Sequence, residues 1–254
     1  MKIRFSAKSS ATRDAVVVTT LNDAKLLATA KKIDDKTAGA LTRAVKATGF
    51  TGKFYENVHI PGPANENAKH VFVKGLGTKG DMHPLDAENI GRSLTDIFNE
   101  HSAHRIDVEL EAHSPAETAA NMAFGAMLNS YSFDVYKSDA KAGDTREINF
   151  VVDDPAAARK AFEKLQKIAG GEKLARDLGQ TPPNDLYPES FAEKIKNEFA
   201  NSNVKVRVLD EKEMAKLGMG SMLAVGQGSI RPPRLVVMEY MGGAKDASPL
   251  AFGR

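Results

Sequence analysis

The sequence predicts an α/β protein built on a largely parallel or mixed sheet. Strand and helix signals alternate from the first residues, one strand carries a run of three valines, and several helices open on recognisable capping residues. No internal repeat interrupts this order. The chain has 254 residues, of which 42% are hydrophobic and 27% charged, enough for one large or two small domains and unlike a disordered chain.

Met1–Ser6 and Ala15–Thr20 read as strands, and Val16, Val17 and Val18 suit a position buried on both faces. Asp34 or Asp35 then caps a helix on which Leu41, Val45 and Thr48 form one stripe and which Gly49 ends. Lys53–Ile60 and Lys69–Leu76 are the next strands. Ile90, Leu94, Ile97 and Phe98 share one helical face, so residues 86–101 form a helix packed on the sheet. In the strand Arg105–Glu111, Ile106, Val108 and Leu110 face the core while Asp107 and Glu109 face solvent. Ser114, Pro115, Ala116 and Glu117 make a capping box for a helix running to about Tyr131.

Arg146–Val152 is the last strand of the first unit. Asp154 and Pro155 open a connecting helix, Ala156–Leu178, in which Gly170 and Gly171 predict a break, at a cost of about 1 kcal/mol for each glycine. Thr181, Pro182, Pro183 and Asn184 stop that helix, because the two prolines remove amides and extend their predecessors. A second α/β unit follows. It holds a helix Pro188–Ala200 with Phe191, Ile195 and Phe199 on one face, a strand Val204–Leu209 and a short helix capped by Asp210 and ended by Gly218. A strand Arg234–Tyr240 and the first residues of another, Pro249–Phe252, follow, and the unit reads as unfinished or as completed by a larger assembly. Such a unit cannot cover both faces of its own sheet.

Composition excludes several classes of function. Thirty-five Lys and Arg against 33 Asp and Glu give a net charge of +2 with mixed signs, so no nucleic-acid partner is implied. No apolar run approaches the roughly 18 residues that span a bilayer, and residues 1–20 lack the pattern of a signal peptide. A cytoplasmic location without a membrane partner is the expectation. With no cysteine there is no disulfide, thiolate nucleophile or cysteine zinc site.

Few constellations carry chemistry. Gly75, Gly77 and Gly80 match a phosphate-binding G-x-G-x-x-G after a strand, but Asp81, Met82, His83 and Pro84 intervene before the helix, which favours a plain glycine-rich turn. Of His59, His70, His83, His101, His104 and His113, only His101 and His104 have a spacing that pairs two rings on a helix, and solvated side chains are the favoured reading. Met214, Met219, Met222, Met238 and Met241 read as core filler. The H-E-x-x-H and G-x-S-x-G signatures are absent, and no spaced Asp/Glu set of the two-metal type is present. Composition and spacing alone assemble no catalytic site.

Residues 171–178 (Gly-Glu-Lys-Leu-Ala-Arg-Asp-Leu) followed by Thr181-Pro182-Pro183-Asn184-Asp185-Leu186 resemble the opening of the catalytic domain of the leucyl aminopeptidases. Val208-Leu209-Asp210, Met214–Gly220, Leu223–Ser229 and Pro232–Leu235 follow in that family's order, and Phe124–Ala126 through Ser130–Lys137 resemble the last helix of its N-terminal domain. The resemblance implies a macro-like N-terminal α/β domain over 1–153, then over 154–254 a linking helix and the truncated start of an α/β metallopeptidase domain. It also implies removal of N-terminal residues from peptides by a metal-bridged water, two divalent ions (Mn or Zn), and hexameric assembly. Family members continue, after the strand corresponding to Pro249, into a glycine-lysine-glycine turn and a Phe-Asp-x-Gly-Gly motif that bear metal ligands. Here Leu250–Arg254 is the last stretch, so no residue is assigned a catalytic, cofactor-binding or metal role, and no metal is expected to bind this chain. Tyr187 replaces the family's usual hydroxyl cap, a loss on the order of 1 kcal/mol. The resulting expectation is an aminopeptidase portion inactive by itself. The alternatives are a macro-like nucleotide or ADP-ribose module using Gly75–Gly80, and a structural partner of full-length subunits.

Overall fold

The computed structural model describes residues 1–78, 80, 82–111, 115–138, 145–244, 246 and 248–253. It divides into two compact units, Met1–Arg176 and Asp177–Arg254.

In the first unit six strands form one sheet: β1 (Lys2–Ser6), β2 (Ala15–Thr20), β3 (Asn57–Pro61), β4 (His70–Gly75), β5 (Arg105–Glu109) and β6 (Glu147–Val151). Their order is β1-β6-β5-β2-β4-β3, parallel throughout except for the antiparallel edge strand β3. Side chains alternate across this sheet and define two cores. Phe5, Val17, Phe72, Val108 and Phe150 face α3 (Pro84–His101), α4 (Pro115–Asn129) and the first turns of α5 (Pro155–Gln180). Val16, Val18, Val58, Val71 and Val73 face α1 (Ala28–Lys36) and α2 (Ala40–Thr48). The three valines of β2 are therefore fully buried between two helical layers, as their sequence implies.

Helices α3 and α4 cross at two glycines. A Cβ on Gly91 would lie 1.9 Å from the carbonyl oxygen of Met122, and one on Gly125 would lie 1.9 Å from that of Glu88. The backbones touch there because neither residue has a side chain.

Several expectations are corrected. The segment before α2 is itself helical: α1 is a charged helix with only Ala30, Ile33 and Asp34 buried, too narrow a stripe to read. Asp34 does cap α2, but from inside α1, accepting from the amide and hydroxyl of Thr42. Asp107 and Glu109 are not solvated, being 1% and 4% exposed. The chain between β1 and β2 folds over them, and Ser10 donates from its amide (2.5 Å) and hydroxyl (2.8 Å) to Asp107 while Ser9 donates to Glu109 (2.5 Å). Arg13 bridges Asp107 and Glu66 at 3.4 and 3.1 Å, and Asn149 donates to Asp107 at 3.1 Å. Ser114 of the expected capping box lies outside the described residues.

Helix α5 is continuous through Gly170 and Gly171. Asp154 caps it through the amides of Ala156 and Ala157, Ala158, Phe162 and Ala169 are buried, and Arg176 donates to the carbonyl of Leu128 at 2.9 Å. Anchors on both sides of the glycine pair outweigh its propensity cost. The same burial places most of α5 within the first compact unit, Met1–Arg176.

The second unit contains α6 (Pro188–Phe199), β7 (Lys205–Leu209), α7 (Glu211–Lys216), α8 (Gly220–Gly226) and β8 (Leu235–Glu239), with β7 and β8 paired antiparallel. Asp210 and Glu213 form a reciprocal capping box at 2.8 and 3.1 Å. Ser190 accepts from the amide of Tyr187 at 3.0 Å, while the Tyr187 side chain makes no cap hydrogen bond to the first turn of the helix. Residues 249–252 are not a strand, since none of the described residues pairs with them, and α8, with no buried residue, was not expected. Ala192, Leu209 and Met214 are the buried apolar residues here, whereas Val225, Ile230 and Phe252 are 90%, 99% and 90% exposed. Of the five methionines expected as filler, only Met214 is buried; Met219 is half-buried, and Met222, Met238 and Met241 are exposed.

Candidate functional site

The glycine-rich turn after β4 is explained by chain packing. A Cβ on Gly75 would lie 2.2 Å from the carbonyl oxygen of Lys53, and Gly77, at φ +74°, sits against the ring of Phe54. Helix α3 opens only at Pro84, with His83 accepting from the amide of Leu85 at 3.2 Å. No helix N-terminus therefore faces the last glycine, and the arrangement that a pyrophosphate needs is not formed. Lys79 and Asp81 of this stretch lie outside the described residues.

A two-metal peptidase centre needs several carboxylates converging on one point. Among the described residues of the second unit no three His, Asp or Glu side chains bring ligand atoms together. The side chains present there do not fit such a centre.

Convergence occurs instead in the first unit, at residues the sequence did not single out together. His59, His70 and His101 each offer a ring nitrogen, and all three nitrogens lie within 4.8 Å of one another. The antiparallel register pairs His59 with Phe72 and Pro61 with His70, which puts both histidines on the face that α3 covers. His101 is the last residue of α3 and descends onto that face. His59 Nε2 and His70 Nδ1 are 3.0 Å apart. Ring centroids are 4.3 Å apart for His59 and His101, 5.0 Å for His70 and His101, and 5.1 Å for His59 and His70. Phe72 stacks on His59 at 4.5 Å and 11° and closes the inner side of the group.

Each of the three rings is half-buried. Burial, with the neighbouring His101 and His70, holds the His59 imidazolium below its ordinary pKa; burial, His101 and Lys69 do the same for His70, against a smaller opposing effect of Asp14. Both rings are thus favoured in the neutral form that can donate a lone pair to a metal. Glu100 Oε2 lies 3.8 Å from His101 Nε2, and Lys69 is held by Asp14 at 3.3 Å.

The sequence pairing of His101 with His104 does not form. Ser102, at φ +51°, turns the chain out of α3, and His104 is exposed just before β5. His113 lies outside the described residues. Eleven residues separate His59 from His70, and only the hairpin register reveals that they meet. That register is the signal a reading of spacing alone could not supply.

A family model described as the N-terminal domain of the cytosol aminopeptidase family matches residues 15–140, and one for the catalytic domain of the same family matches residues 173–253. A probable cytosol aminopeptidase of Rhizobium leguminosarum bv. trifolii is 35% identical over 257 residues, covering 99% of this chain and 51% of that protein. One from Caulobacter vibrioides is 37% identical, covering 94% of this chain and 48% of its own length. A tomato leucine aminopeptidase mutant superposes with a TM-score of 0.75 at 22% identity, over 92% of this chain and 50% of that one. The bottromycin maturation enzyme BotP, solved in complex with Mn, gives 0.68 at 23%, over 89% of this chain and 45% of BotP. These solved structures establish likeness of fold. The chain spans about half the length of the curated relatives it matches. With both domain models of one family matched in that family's order, and relatives aligned along nearly all of its length, the chain belongs to the cytosol aminopeptidase family.

Proposed function

We propose that the chain supplies the N-terminal domain and the opening part of the catalytic domain of a metal-dependent leucyl aminopeptidase, which hydrolyses N-terminal residues from peptides. Residues 1–254 by themselves do not catalyse that reaction. The observation that carries this reading is the catalytic-domain match over 173–253 in a unit whose described side chains bring no ligand set together. Without converging carboxylates there is nothing to hold two ions or to lower the pKa of a bound water.

The finer parts of the proposal follow the family resemblance. The ions are Mn or Zn, the location is cytoplasmic, and the assembled enzyme is a homo-hexamer. The macro-like domain spans 1–153 and the linking helix with the catalytic opening spans 154–254, although the first turns of that helix pack on the first unit. Leu217, Val225, Tyr240, Met241 and Leu250, all more than half exposed, are surface that the remainder of a catalytic domain would cover.

The test is a leucine-anilide assay of purified 1–254 with Mn²⁺ or Zn²⁺, together with the intact mass of the protein from its own source. No metal-stimulated release, and a native mass near twice 27.4 kDa, are expected. Metal-stimulated turnover by 1–254 would overturn the inactivity, and a native mass near 27.4 kDa would overturn the larger enzyme.

A further inference from the structure

We propose that His59, His70 and His101 form a three-imidazole site for one divalent transition-metal ion of the zinc, cobalt and nickel type. The site lies in the first unit and does not rest on the peptidase reading. Three features of the geometry point to it.

The first is spacing. Nitrogens bound at about 2.0–2.1 Å to a tetrahedral ion sit roughly 3.3 Å from one another. His59 Nε2 and His70 Nδ1 already stand at 3.0 Å, and the His101 nitrogen is within 4.8 Å of both.

The second is support. Two rings are set by the ladder between β3 and β4, and the third by the last turn of α3, so the donors come from rigid elements whose positions are fixed by a buried core. Phe72 stacks on His59 and holds the plane of its ring. Glu100, 3.8 Å from His101 Nε2, is a carboxylate within reach of the group.

The third is donor chemistry. In the absence of an ion, His59 and His70 can share only one hydrogen between the facing nitrogens. An ion replaces that contact by two N–metal bonds, and the displaced hydrogen moves to the other nitrogen of the same ring, so neutral rings lose no net proton. A purely nitrogen donor set selects zinc, cobalt, nickel or copper over magnesium or manganese, which prefer oxygen. Lys69 opposes a cation here, and its ion pair with Asp14 at 3.3 Å moderates the repulsion. The bound ion would tie the edge hairpin to the end of α3.

The experiment is titration of the full chain with CoCl₂, followed by the visible absorption of the bound ion, and with ZnCl₂ by calorimetry. One equivalent of Co²⁺ should give d–d bands of four- or five-coordinate nitrogen ligation. Zn²⁺ should displace it and Mg²⁺ or Mn²⁺ at the same concentration should not. H59Q and H101Q should each weaken Zn²⁺ binding by more than about 100-fold, beyond the 10–100-fold typical of losing an outer-shell partner. H104Q, on an exposed side chain outside the group, should bind as the parent does. Circular dichroism identifies any variant that fails to fold, and H70N then serves as a further substitution in the same group. Absence of Co²⁺ bands at millimolar ion, or binding unchanged in folded H59Q and H101Q, would overturn the site.

Discussion

Two carboxyl groups of the first unit, the half-buried Asp14 and the buried Glu109, respond to pH in opposite directions. Burial alone would raise the Asp14 carboxyl, but the amides of His104 and Arg105 and the Lys69 ammonium hold it below its ordinary value. Its ionised form therefore adds stability above the unfolded pKa of 3.8, and that contribution is lost as the pH falls through the lower folded value. Urea denaturation of D14N should show lower stability than the parent at pH 7 and a shallower loss towards acid. Glu109 is pushed up by burial, with the hydroxyl of Ser9 and the charge of Arg13 only partly opposing it. Its folded state holds the proton longer than the unfolded chain, so its cost grows as the pH rises through 4.5 towards the folded value. E109Q should gain stability relative to the parent on going from pH 4 to pH 7, and a gain in the opposite sense would refute the assignment. At this scale the sequence disclosed the alternation of Asp107 and Glu109 against Ile106 and Val108 but not their burial. The covering chain arrives from residues 7–14, some 95 positions away, with Ser9, Ser10 and Arg13 as the partners that make burial tolerable.

Glycines separate two kinds of element. Gly91 and Gly125 are required where α3 crosses α4, because any Cβ there meets backbone of the other helix. G91A and G125A should each lose on the order of 1–3 kcal/mol in chemical denaturation, the usual cost of overpacking. Gly170 and Gly171 meet nothing within 4 Å, and the helix that contains them is unbroken. G170A should therefore gain about 0.5–1 kcal/mol, as expected where glycine in a helix interior has no packing reason. The same denaturation series checks both, and a gain in G91A or a loss in G170A would contradict the packing described. Helix boundaries set by local chemistry were legible: Gly49 ends α2 at φ +67°, and Asp154 and Asp210 cap α5 and α7. The break expected at Gly170 was not formed, since intrinsic propensity yields to the burial of Phe162 and Ala169 and to the anchor of Arg176.

At the scale of the whole molecule the two units differ in how much they bury. The first encloses a six-stranded sheet between helical layers, whereas the second leaves β8 with Val237 and Met238 more than a third exposed. Hydrogen exchange should find the amides of Ala15–Thr20 and Val71–Lys74 the slowest and those of Leu235–Glu239 faster by orders of magnitude, because local opening there uncovers little apolar surface. Equal protection in both strands would mean that the second unit is covered by contacts not described above. The sequence by itself determined the α/β class, most strands to within a residue or two and the long helices, because periodicity and capping act over a few residues. Motif order along 171–235 also carried the family resemblance, which the domain matches bear out. Only the tertiary structure decided that Asp107 and Glu109 are buried, that Gly75 and Gly77 serve chain packing, and that His59, His70 and His101 meet. Each of these depends on strand register and on which segment covers which face, contacts between residues distant in the chain that no local pattern encodes.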